Sequence, residues 1–152
     1  MKVLLVEQDG ELRRNVFKTL KSAEMDVEVV STPAEAIGKI MGGRPLILAT
    51  SWNHPDLVTT ELLQHLIADK IVNVYVILLL ENHASTEEVM NGLRAGADDF
   101  VFQPQNRAEL IMRFGIAERI MNLKSVSADI SPAPVTAPKF SKRKPQVNSP
   151  RR

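Results

Sequence analysis

The sequence predicts a doubly wound α/β domain over its first 123 residues, a parallel sheet covered by helices on both faces. Three observations predict it. Five short apolar runs recur, KVLLV, VEVVS, PLILAT, VYVILLL and DDFVF, and most are continuous rather than alternating, as a strand buried on both faces requires. Each is followed by a stretch whose apolar positions repeat at helical spacing. The two kinds of segment alternate strictly, which is the pattern of repeated strand and helix units around a parallel sheet.

KVLLV (2–6) is the first strand, and ELRRNVFKTLKSA (11–23) the helix after it, with Leu12, Val16, Phe17 and Leu20 on one face and Asp9 placed for its N-cap. VEVVS (27–31) is the second strand. Thr32 as N-cap, Pro33 at the first helical position and Glu35 as the acid of a capping box start a helix to about Met41, where Gly42 and Gly43 stop it. PLILAT (45–50) and LVTTELLQHLIAD (57–69) form the third pair, with Asp56 placed to cap the helix. VYVILLL (74–80) is the fourth strand. Ser85 and Glu88 read as a second capping box, and the helix they open ends at Ala95 with Gly96 in position for a left-handed cap. DDFVF (98–102) is the fifth strand. After Pro104, Asn106 and Glu109 open a last helix to about Leu123. Leu110, Phe114, Ala117 and Met121 form its core stripe, while Met112, Ile116, Ile120 and Leu123 form a second apolar stripe on a different face.

Composition narrows the function classes. With no cysteine among 152 residues, a disulfide framework, a zinc-thiolate site and a cysteine nucleophile are excluded together. The longest apolar run, residues 74–80, is far short of a membrane span, so a cytoplasmic protein with no membrane partner is expected. The net charge of +1 hides an asymmetry: residues 125–152 carry +5 and the first 124 carry −4. Residues 124–152, rich in Ser and Pro, are expected to form a disordered basic tail or linker, whose SKRKP cluster suits an acidic partner or nucleic acid.

In an open doubly wound sheet, ligands gather beyond the carboxyl ends of the strands where the strand order reverses. The loops concerned carry Glu7, Gln8 and Asp9, the segment SWNHPD from Ser51, Glu81, and Gln103. Ser51, His54 and Asp56 have the residue types of a hydrolytic triad, but neighbours so close in sequence rarely reach that geometry, and no GxSxG elbow is present. His65 and His83 have no second ligand at metal-binding spacing. No metal, no cofactor and no catalytic residue is expected.

VLLVEQDGELRR, RPLILATSWNHPD and HASTEEVMNGLRAGADDFVFQP, with the spacing between them, resemble the receiver domain of bacterial response regulators, the CheY-like family, over residues 1 to about 123. GLRAGADDF running into QP is the most specific part. The resemblance implies a flavodoxin-like (βα)5 fold with strand order 2-1-3-4-5, and phosphoryl transfer to an aspartate at the end of the third strand. Carried over residue by residue, it gives a degenerate pocket. The acidic pair that would hold Mg²⁺ reads Glu7 and Gln8, the acceptor position holds Ser51, the switching hydroxyl position holds Glu81, or Leu80 if the loop is shifted by one, and the phosphate-binding lysine position holds Gln103. Phe100 occupies the switch aromatic position, and a cis bond before Pro104 is implied.

With acceptor, metal ligand and lysine all replaced, the chain reads as an atypical receiver, a pseudo-receiver, that acts in two-component signalling as a phosphorylation-independent interaction module and not as an enzyme. The alternatives are a phosphorelay receiver with an unusual acceptor such as Ser51 or Asp56, the regulatory front of a longer DNA-binding or enzymatic protein, and a flavodoxin-like enzyme or small-ligand binder at the switch point. The resemblance further implies a homodimer or partner face made by the fourth helix, fifth strand and fifth helix, with Met112, Ile116, Ile120 and Leu123 upon it, set against packing of the domain on its own tail.

Overall fold

The computed structural model describes residues 1–44, 46–52, 59–103 and 106–129, with Gln103, Ala128 and Asp129 described by their backbone alone. Five strands and five helices alternate: β1 Lys2–Val6, α1 Gly10–Ser22, β2 Asp26–Val30, α2 Pro33–Ile40, β3 Leu46–Ser51, α3 Thr59–Ala68, β4 Val74–Glu81, α4 Thr86–Arg94, β5 Asp99–Gln103 and α5 Arg107–Asp129. All strand pairs are parallel, in the order β2-β1-β3-β4-β5. The expected fold class and strand order are those observed.

Continuous apolar strands feed two cores at once, because successive side chains point to opposite faces. Val3, Leu5, Ile47, Ala49, Ile77, Leu79 and Val101 meet α1 and α5 through Val16, Leu20, Leu110, Phe114, Ala117 and Met121. Leu4, Val6, Leu46, Leu48, Val76, Leu78 and Leu80 meet α2 and α3 through Ala36, Ile40, Leu62, Leu63 and Leu66. The expected core stripe of α5 is thus buried in full, and truncating its Phe114 to alanine would cost about 3–5 kcal/mol.

The caps act where the sequence places them. Asp9 accepts from the Glu11 and Leu12 amides, Ser85 and Glu88 form a complete capping box, and Gly96 takes the left-handed φ of 113° that closes α4. The box at α2 is modified. Thr32 accepts from the Glu35 amide, but the Glu35 carboxylate reaches back to the amide of Ser31, one residue earlier than the N-cap.

The last helix departs from expectation. It continues six residues past Leu123 to Asp129, into the stretch assigned to the tail. Ser125 and Ser127 donate their hydroxyls to the carbonyls of Met121 and Leu123, four residues back, so serines read as linker residues satisfy themselves on the helix. The expected disorder of 130–152, the roles of His54 and Asp56 and the cis bond before Pro104 lie outside the described residues. No helix among the described residues is long and apolar enough to cross a membrane.

Candidate functional site

The reversal of strand order falls between β1 and β3. Their register pairs Lys2 with Leu46 and Val6 with Thr50, so the residues that follow, Glu7 and Ser51, stand side by side at the carboxyl ends of the two strands. Both are buried, Glu7 completely. The Ser51 hydroxyl donates to Glu7 Oε2. The Asp9 amide donates to Oε1 at 2.8 Å. Both oxygens of the Glu7 carboxylate are therefore engaged from inside the protein.

The backbone around Ser51 is held from two directions. The next amide, that of Trp52, donates to the Leu79 carbonyl at 3.2 Å and prolongs the pairing of β3 with β4. The Thr59 hydroxyl, itself buried, donates to the Ser51 carbonyl at 2.6 Å and fastens the start of α3 to the end of β3. Sequence reasoning passed over Thr59. A threonine in the first turn of a helix after a strand was the signal, but it could not say which carbonyl the hydroxyl would meet.

The side chains of Gln8, Asp9 and Glu81 do not join this pair. Gln8 turns its amide to the Ser31 carbonyl at 3.3 Å, toward β2. Asp9 spends its carboxylate on the amino end of α1, which is the capping role expected of it. Glu81 points outward, with its side chain 63% exposed and paired to His83 Nε2 at 2.7 Å. Gln103 ends β5 opposite Glu81 by backbone register. A divalent cation needs several free oxygen donors, carboxylates above all. Glu7, Gln8 and Asp9 are each committed to other partners, and no group of three or more metal-ligating side chains occurs among the described residues. The residues present do not fit Mg²⁺.

Phe100, at the switch aromatic position, is half-buried and sits edge-on to Phe102, with ring centroids 5.4 Å apart. Arg113 of α5 lies over the Phe100 ring at 5.7 Å and bonds both oxygens of Asp99, at 2.9 and 3.2 Å, and Glu109 at 3.2 Å. Burial works against the charge of this guanidinium, but the bonds to Glu109 and Asp99 more than offset it and raise its pKa. The aromatic is thereby clamped from the α5 side. Of the second stripe on α5, Met112, Ile116 and Leu123 are exposed, whereas Ile120 is half-buried and packs against the core shared with α1.

A family model described as the response regulator receiver domain matches residues 3–114. The cell cycle response regulator CtrA of Brucella ovis is 33% identical over 115 residues, which cover 74% of this chain and 48% of CtrA. The chain spans about half the length of the curated relatives it matches. Among solved structures, the signal receiver domain assigned to a Luxo repressor protein of Vibrio parahaemolyticus superposes with a TM-score of 0.74 at 25% identity, covering 83% of this chain and 95% of that one. The receiver domain of the Francisella response regulator 1452 gives 0.68 at 28% identity, covering 78% and 96%.

Proposed function

The chain belongs to the response regulator receiver family, and from that membership we propose that it signals by protein contact without accepting a phosphoryl group. The observation that carries this reading is the engagement of Ser51 with Glu7. Where the family places an aspartate nucleophile, this chain has a hydroxyl donating to a carboxylate that is wholly buried. Phosphoryl transfer depends on positive charge gathered around the moving group, and Gln8 and Gln103 supply none.

On this reading the domain is a pseudo-receiver with no enzymatic role, held in one state, and its output is the surface around β5 and α5. Phe100 is kept in place by Arg113 instead of reporting on an occupied pocket. The contact face is α4, β5 and α5, where Met112, Ile116 and Leu123 offer apolar surface to a protein partner or a second copy, and the basic residues beyond Asp129 add attraction to an acidic partner or nucleic acid.

The test is exposure of the chain to Mg²⁺ with acetyl phosphate or beryllofluoride. Unchanged intact mass and unshifted amides around Ser51 are expected. Labelling that Ser51→Ala abolishes would overturn the reading and make the chain a phosphorelay receiver with a serine acceptor.

A further inference from the structure

A groove of about 220 Å³ opens at the amino end of β4, at the other end of the sheet from Ser51. Leu66 of α3, Ile71 and Val72 of the loop after it, Val74, and Gly96 beyond α4 line it. Val72 is 72% exposed, more than any other large apolar side chain among the described residues. Ile67, which packs where a Cβ on Gly96 would stand, is 58% exposed. Apolar surface left bare beside an apolar hollow suits an occupant.

The carboxyl end of α5 leads to this groove. Lys124 lines it too, although α5 packs on the opposite face of the sheet from α3. Met121 is the last core residue of the helix, yet the helix runs on to Asp129. Asp129 stands about 7.5 Å along the axis past Lys124. The residues that follow are ISPAPVTAP (130–138), uncharged and with three prolines, and then KFSKRK (139–144). Prolines favour an extended chain that covers about 3.1 Å per residue and needs no hydrogen bonds of its own. Three such residues return the chain to the level of Lys124, and three more carry it about 9 Å across the groove, at Val135.

We propose that residues 130–138 of this chain occupy the groove, with Val135 against Val72 and Ile71. The size of the groove selects an extended segment. It takes one or two side chains, far less than the ~800 Å² per partner that a stable contact between folded proteins buries. Charge is in keeping. The carboxylates of Asp69 and Asp98 are balanced there by Lys70 and Lys124, which suits an uncharged segment. The cations from Lys139 onward then pass the carboxyl ends of α3 and α4, where positive charge is favoured. Tethering adds to this, since a segment joined to its site by a few residues is present at about millimolar effective concentration. Any acidic surface that the basic cluster serves must then compete with this docking. The proposal is independent of the reading of the Ser51 pocket, which its failure would leave standing.

Thiol protection in the full chain tests it. Because the chain has no cysteine, Val72→Cys supplies a single reporter at the edge of the groove. Its reaction with a soluble maleimide should be about tenfold slower than in the double variant Val72→Cys, Val135→Asp, the factor that burying one valine allows. Circular dichroism spectra of the two should coincide, and the protection should not change on dilution. Adding Val147→Asp, which lies outside the docked segment, should leave the protection intact. Equal rates with and without Val135→Asp would overturn the proposal. So would protection that fades on dilution, which would assign the groove to a second copy. An equal loss of protection from Val147→Asp would overturn it too, and would make the effect one of tail charge alone.

Discussion

The Ser51 hydroxyl donates its proton to the carboxylate of Glu7, joining residues 44 apart in sequence at the carboxyl ends of two neighbouring strands. Both sites are buried, so the Ser51 hydroxyl and Glu7 Oε2 depend on each other for a partner, while Oε1 keeps the Asp9 amide. Ser51→Ala should cost about 1–3 kcal/mol, because it strips one acceptor of its donor where water cannot replace it. Ser51→Asp should cost more, since it sets a second carboxylate against the first, and like charges at contact disfavour each other's ionised forms. Denaturant titration of the three proteins checks the order. A Ser51→Ala protein as stable as wild type would mean that the bond contributes nothing.

The sequence carried much of this site and missed its orientation. Apolar continuity located the five strands, the caps at Asp9, Thr32 and Ser85 located helix starts, and the order 2-1-3-4-5 came with the family resemblance. Together these bring Glu7 and Ser51 to one place. That the serine would turn to the glutamate, and Glu81 outward to His83, depends on side-chain packing that no periodicity encodes. The end of α5 was misread for a different reason. Serines weigh toward linkers in composition, yet here they bond back to the helix, and Val126, three residues beyond Leu123, was the signal that the stripe continued. Ile120 was assigned to the outer stripe, but it stands nearer the Arg113 side of the helix and half of it is taken up by the core.

Glycine substitutions should separate close packing from helix propensity. In α4, a Cβ at Gly92 would stand 2.4 Å from Leu78 Cδ1 and 3.8 Å from Trp52 Cδ2. Leu78 is itself buried, so it cannot swing into solvent. Gly92→Ala should therefore destabilise by about 1–3 kcal/mol despite the better helix former, and should shift the fluorescence of Trp52, the chain's single tryptophan. Gly38→Ala in α2 meets no atom within 4 Å and should stabilise by about 0.5–1 kcal/mol. The same sign for both in thermal melts would contradict the close approach of α4 to β4.

Acid should weaken one ion-pair cluster in a defined window. Glu28 on β2 takes the ammonium of Lys2 at 2.7 Å and that of Lys39, and the hydrogen bonds from Lys2 and then Lys39 pull its pKa from 4.5 to about 2. A carboxylate with a depressed folded-state pKa contributes its stability above the unfolded value and loses it as pH falls through the folded one. The Tm difference between wild type and Glu28→Gln should be present above pH 4.5, close as pH falls toward about 2, and shrink in high salt because the lysines are exposed. A difference that survived at the acid end would point to packing by the side chain instead of its charge.

Restoring the receiver chemistry should take three changes together. Ser51→Asp alone places a carboxylate beside Glu7 with nothing cationic to offset it, so it should be less stable than wild type and still unlabelled by acetyl phosphate. Adding Gln8→Asp supplies the second metal ligand, and Gln103→Lys supplies the positive charge on the far side of the pocket. The crowded carboxylates then become a cation site, since Mg²⁺ is bound by carboxylates and phosphoryl oxygens. Two readouts follow that the single variant lacks. Mg²⁺ at a hundred times its Kd should stabilise the triple variant by about 2.7 kcal/mol, and acetyl phosphate should label it only when the metal is present. Both depend on the β1 and β3 ends keeping the register that sets Val6 beside Thr50. If Ser51→Asp alone labelled as fast as the triple variant, Gln8 and Gln103 would not be what silences the pocket. If the triple variant neither bound Mg²⁺ nor labelled, the loss would lie in the backbone of the loops, and no exchange of side chains would recover it.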